Sequence, residues 1–79
     1  MNDFEGGTKK SLNNARPGYI AKVKDIRGSE KIRKFLFTLG CSEGEEITLI
    51  SKLGANYIIR VKDNRYAIDK NMAMAIEIA

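Results

Sequence analysis

From Glu46 onward the chain is cut into short runs by turn-forming residues, and this pattern constrains the fold more than any other feature. "EITLISK" (46–52) alternates apolar and polar positions, and "YIIRVK" (57–62), "RYAI" (65–68) and "IEI" (76–78) follow it. Alternation at period two, rich in β-branched and aromatic residues, predicts strands. "LGAN" (53–56) reads as a loop. "DN" (63–64) reads as a tight hairpin turn, since Asp and Asn both tolerate positive φ. "DKNMAMA" (69–75) has room for about one helical turn.

Upstream the period changes. "YIAKVKDI" (19–26) is a strand bounded by the turn signal "RPG" (16–18), where Pro17 fixes φ and Gly18 admits positive φ. Leu12 packs into the core ahead of that turn. In "GSEKIRKFLFTLG" (28–40) Ser29 suits the N-cap and Glu30 the positive end of the helix dipole. Ile32, Phe35, Leu36 and Leu39 keep the i, i+3, i+4, i+7 spacing of one buried helix face, and Glu30 and Lys34 form an i, i+4 pair. Gly40 sits where a helix ends in the left-handed conformation, and Gly44 turns "SEGE" from helix to strand. Residues 1–10, with "EGGTKK" and no periodicity, form a flexible tail ahead of a single domain over 11–79. The predicted fold is mostly β with one or two short helices. A sheet this small removes its exposed edges by curling into a barrel, with the helix over one open end.

A chain of 79 residues is one domain and buries only about 60% of its unfolded surface, which leaves little room for an enclosed active site. No stretch approaches the ~20 apolar residues of a membrane helix, so Gly40-x-x-x-Gly44 is no membrane contact and no membrane insertion is expected. "MNDFEGGTKK" has no apolar run and predicts no secretory leader. The single cysteine excludes an internal disulfide and suits a reducing cytoplasm. The net charge of +4 is uneven: residues 1–40 hold nine Lys/Arg against four Asp/Glu, residues 41–79 five against six. Acidic partners are therefore favoured over basic ones.

Chemistry-bearing candidates are few. Cys41 follows a helix C-terminus, where partial negative charge opposes a thiolate, and no histidine exists to activate it. A corner or core thiol is the favoured reading over a nucleophile or ligand. One cysteine without histidine cannot supply a soft metal site. Glu43, Glu45 and Glu46 read as a solvated turn rather than a hard-cation site. Neither G-x-x-x-x-G-K-[ST] nor G-x-G-x-x-G is present. No catalytic, metal or cofactor residue is assigned, and the chain is not expected to be an enzyme. The basic group Lys22, Lys24, Arg27, Lys31, Arg33 and Lys34 lacks the interleaved aromatics that stack single-stranded bases. A protein partner ranks first for it, a solvated face second and nucleic acid third.

"LGCSEGEEITLI" (39–50) resembles the signature of the FeoA family of small ferrous iron transport accessory proteins. Leu36, Leu39, Gly40, Gly44 and Ile47 stand on that pattern. "RPGYIAKVKDIRG" resembles the family's opening strand through Pro17, Gly18 and Val23, and "YAIDKNMAMAIEI" its ending, with Ala73 in the short turn. The resemblance spans residues 12–78. Cys41 stands where the family usually has an aliphatic residue, and "DN" where it often has glycine. The resemblance implies an SH3-like β-barrel and a cytoplasmic regulatory partner of FeoB, the membrane ferrous iron transporter with a G domain. The same barrel ends iron-dependent repressors of the diphtheria-toxin-repressor type, so the alternative is a small basic barrel that binds nucleic acid or serves as a repressor module.

One helix residue points to a surface. With Ile32 at zero and about 100° per residue, Phe37 falls nearly opposite the apolar face, with Arg33 one turn before it and Lys34 nearby. A lone exposed aromatic needs no explanation. The sharper expectation is that Phe37 anchors the transporter or a second copy of the chain, oriented by Arg33, Lys34 and Lys31.

Overall fold

The computed structural model describes residues 10–79. The tail expected over residues 1–10 lies outside the described residues except for Lys10, whose carbonyl accepts from the Ile78 N–H at 2.8 Å. A 3₁₀ turn at Leu12–Asn14 is followed by strand β1 (Ile20–Ile26), helix α1 (Glu30–Leu39), β2 (Glu46–Leu53), β3 (Asn56–Val61), β4 (Asn64–Asp69), α2 (Lys70–Ala75) and β5 (Ile76–Ile78).

The strands form one antiparallel sheet of five in the order β4-β3-β2-β1-β5. Strand β1 divides its pairing. Ile20–Lys22 face β2, while Val23, Asp25 and Ile26 face β5, with a register shift between Val23 and Asp25. A second shift falls between Leu49 and Ser51 where β2 meets β3. Such irregularities bend strands and raise the local twist, so the sheet coils on itself. The result is an SH3-like fold, with one difference from the expected barrel: β4 and β5 do not pair, and the sheet is open. Helix α2, which links those two strands, packs against the 3₁₀ turn, β3, β4, β5 and α1. It links β4 to β5 on the open side of the sheet.

Side chains inside the curl are apolar throughout. Leu12, Leu36, Cys41, Ile47, Leu49, Ile59, Val61 and Ile76 are fully buried, and among the described residues no polar or charged residue is buried. Burial follows the period-two pattern: Ala21 and Val23 point in from β1, Ile47 and Leu49 from β2, Tyr57, Ile59 and Val61 from β3.

Both hairpins differ in register from the sequence reading. Leu53 and Asn56 pair across a two-residue Gly54-Ala55 turn, so "LGAN" is half strand. Val61 pairs with Asn64, which puts the next turn at Lys62-Asp63, one residue earlier than "DN". The strand pairing overrides local preference there: Lys62, not Asn64, adopts positive φ, at 58°. Helix α2 is longer than one turn, because Asp69 caps it through a 2.8 Å bond from the Met72 N–H to its carboxylate.

Candidate docking surface

Helix α1 begins where expected. The Ile32 N–H donates to the Ser29 hydroxyl at 3.2 Å, and Glu30 occupies the first turn. Its end is a Schellman motif. Gly40, at φ 98°, donates to the Phe37 carbonyl at 3.0 Å, and the Cys41 N–H donates to the Leu36 carbonyl at 2.9 Å. The chain then turns through Gly44, whose N–H donates to the Val23 carbonyl at 2.9 Å while Val23 N–H donates to Glu45 at 2.9 Å. These bonds tie the helix exit to β1. At the "RPG" turn Tyr19 N–H donates to the Arg16 carbonyl at 3.0 Å around Pro17 and Gly18, and Gly18 N–H reaches Leu49 on β2.

The helix is anchored on a narrow stripe. Leu36 is fully buried and Ile32 and Leu39 are half-buried, but Phe35 is 43% exposed. The expected four-residue buried face is thus corrected to three. About 100° per residue places Phe35 roughly 70° from the centre of the other three, beyond the rim of what the core covers. The helical angle does not by itself separate Phe35 from Leu36, which lies equally far from the centre of the other three.

Phe37 is 49% exposed, and Lys31, Arg33 and Lys34 are all exposed. Around the outer half of α1 the order is Arg33, Phe37, Lys34, Lys31, Phe35. The two aromatics therefore bound an arc that carries Lys34 and Lys31, with Arg33 just beyond Phe37. Among the described residues none of these cations is in an ion pair, so the expected i, i+4 pair of Glu30 and Lys34 does not close into a salt bridge. The rest of the sequence-predicted basic group sits on and just after β1, apart from that arc. Arg27 donates to Glu77 at 2.7 Å and lies 3.8 Å from Asp25, and Lys24 lies 3.8 Å from Glu77. Lys22 stands opposite Glu46 in the β1–β2 register.

Cys41 is fully buried, and desolvation pushes its thiol up from 9.0 to about 11. That environment works against nucleophilic or metal-ligating use. Glu43 and Glu46 are exposed and Glu45 half-buried in the corner, and among the described residues no three His, Cys, Asp or Glu side chains converge into a metal site. No helix of the described residues is long and apolar enough to cross a membrane.

Several solved structures share the fold. A crystal structure of an iron uptake regulatory protein (FeoA) is 27% identical with a TM-score of 0.81, and the match covers 92% of this chain and 97% of that one. The NMR structure of a FeoA-like protein from Clostridium acetobutylicum is 21% identical, TM-score 0.82, covering 94% and 88%. The metal-dependent transcriptional regulator MtsR is 20% identical, TM-score 0.74, but there the match covers 92% of this chain and only 37% of the regulator. A search of curated proteins finds no match. The FeoA domain model matches residues 10–79, and the chain belongs to the FeoA domain family.

Proposed function

We propose that this protein is a regulatory accessory of ferrous iron uptake that acts by docking on a FeoB-type membrane transporter through the outer arc of α1. Family membership and the 27% identity to an iron uptake regulatory protein support the iron-uptake role. The observation that carries the docking reading is Phe37: a large aromatic, 49% exposed, on the side of the helix away from Leu36. Arg33 and Lys34 beside it, and Lys31 further round the helix, free of ion pairs among the described residues, suit an acidic rim on the partner. Burying one phenylalanine contributes roughly 1.5–3 kcal/mol, enough to decide a modest interface.

The test is association with the full-length transporter in nanodiscs, followed by biolayer interferometry. Phe37→Ser and the pair Arg33→Ala, Lys34→Ala are expected to weaken binding at least tenfold while the melting temperature stays put. Binding of wild type that both variants leave intact would move the docking face elsewhere. No association by wild type would end the transporter reading.

A further inference from the structure

A row of side chains crosses the outer face of the sheet and stops at an open edge. The registers Ile20↔Thr48, Thr48↔Arg60 and Arg60↔Arg65 place four residues side by side on β1, β2, β3 and β4. The row ends in two arginines directly opposite each other. Val61 and Asn64 close their hairpin as a hydrogen-bonded pair, so by alternation Arg60↔Arg65 is a non-hydrogen-bonded pair, the geometry in which side chains approach most closely. Like charges so placed repel. Neither arginine, nor the nearby Lys22 and Lys62, is in an ion pair among the described residues. An open basin of about 570 Å³ lies over this face, lined by Lys22, Arg60 and Lys62 with Glu45 and Glu46 on one side.

The same alternation turns the N–H and C=O groups of Arg65 and Ala67 away from β3, toward the free side of β4. No strand pairs there. The opposite edge of the sheet is covered, since β5 meets Ser11 in a bridge and Ile78 N–H donates to Lys10. Among the described residues no strand pairs with the outer edge of β4, although α2 packs against that strand. Arg65 and Ala67 are exposed, and between them Tyr66 turns inward and is half-buried.

We infer that the edge of β4 receives an acidic extended segment of a protein partner as an added strand. Its backbone pairs with Arg65 and Ala67. A carboxylate on its outer face lies beside Arg65 and relieves the Arg60–Arg65 repulsion, and an apolar residue on its inner face covers Tyr66. Charge complementarity selects this occupant. A second copy of the chain would bring another Arg65-bearing edge against this one. Nucleic acid would use the cations but leave the strand's N–H groups unpaired. The surface lies on the strands and shares no residue with the α1 arc, so it stands or falls separately from the transporter docking proposed above.

The probe is a short synthetic peptide alternating Glu and Val, titrated into the protein by fluorescence anisotropy and by amide-shift NMR, with a Lys/Val peptide as control. The Glu/Val peptide is expected to bind and to slow exchange of the Arg65 and Ala67 amides. Ala67→Pro removes one edge N–H without touching the β3–β4 ladder and is expected to weaken binding at least tenfold. Arg65→Glu is expected to do the same and to shift preference to the Lys/Val peptide. If Ala67→Pro lowers the melting temperature, Arg65→Glu decides. Failure of the Glu/Val peptide to bind overturns the inference. So does binding that Arg65→Glu leaves unchanged, or an oligonucleotide that displaces the peptide while both amides stay unprotected.

Discussion

The backbone N–H of Cys41 donates to the Leu36 carbonyl at 2.9 Å, and the side chains of both residues are fully buried. This single link makes the helix exit part of the core. It pairs the hydrogen bond of the Schellman motif with the apolar contact that accompanies it. The "LGCSEGEE" corner thereby sets the direction in which β2 leaves α1.

That corner depends on Gly40. Its φ of 98° is costly for a side chain, although a Cβ there would meet a Val61 methyl carbon only at an ordinary contact distance of 3.4 Å. Gly40→Val is expected to destabilise the domain by more than ~1 kcal/mol, since a β-branched residue resists the left-handed region. Urea unfolding followed by circular dichroism checks this. An unchanged midpoint would mean that the corner tolerates another backbone path.

Cys41 gives a pH dependence with a definite sign. Burial raises the folded thiol from 9.0 to about 11. Between those values the unfolded chain loses its thiol proton and the folded chain keeps it. The unfolded state then binds fewer protons, so stability falls as pH rises. The contribution is fully present below pH 9 and is lost through pH 11, at a limiting slope of roughly 1.4 kcal/mol per unit. To isolate the thiol, the measurement is the difference between wild type and Cys41→Ala. The difference in unfolding free energy is expected to shrink from pH 8.5 to 11. A constant difference would place the thiol in contact with solvent.

The alternating runs and the Ser29 and Gly40 signals were enough to read every strand and α1 from the sequence, because burial on one face imposes a period that neighbours cannot hide. Two kinds of feature were not legible. Hairpin register depends on the partner strand: Val61 pairs with Asn64 and thereby forces Lys62, a poor candidate by local preference, into positive φ. The width of the buried stripe on α1 depends on how much of the helix the rest of the domain covers, and no helical period says where that coverage ends. Phe35 was misplaced for that reason. The Arg60–Arg65 pair likewise belongs to register, since five positions in sequence say nothing about facing residues until the turn is fixed.

Lys62 offers a stabilising change. Its φ of 58° costs a side-chain-bearing residue about 1 kcal/mol or more. Glycine is the residue that tight hairpins favour at such a position. Lys62→Gly is expected to raise the melting temperature by a few degrees, the shift that ~1 kcal/mol produces in a domain of this size, even after the entropy glycine adds to the unfolded chain. A differential scanning calorimetry trace with a lowered midpoint would show that the lysine makes a compensating contact with its surroundings.

The exposed arc of α1 separates stability from association residue by residue. Leu36 is fully buried, so Leu36→Ala removes core packing and is expected to cost about 2–5 kcal/mol. Phe37, one position on, points about 100° away around the helix, and its loss should leave stability within about ±0.5 kcal/mol. Phe35 lies nearer the core on the other shoulder. It is 43% exposed against 49% for Phe37, so Phe35→Ser is expected to fall between the two. The expected order of destabilisation is therefore Leu36→Ala, then Phe35→Ser, then Phe37→Ser. For association with the transporter the order changes: Phe37→Ser is expected to weaken binding most per unit of stability lost, with binding measured well below each variant's melting temperature. If Phe37→Ser unfolds the domain, the helix packs in a different rotation from the one described. If Phe35→Ser abolishes binding while Phe37→Ser preserves it, the partner covers the opposite shoulder of α1, and the docking surface runs along Lys31 and Phe35 instead.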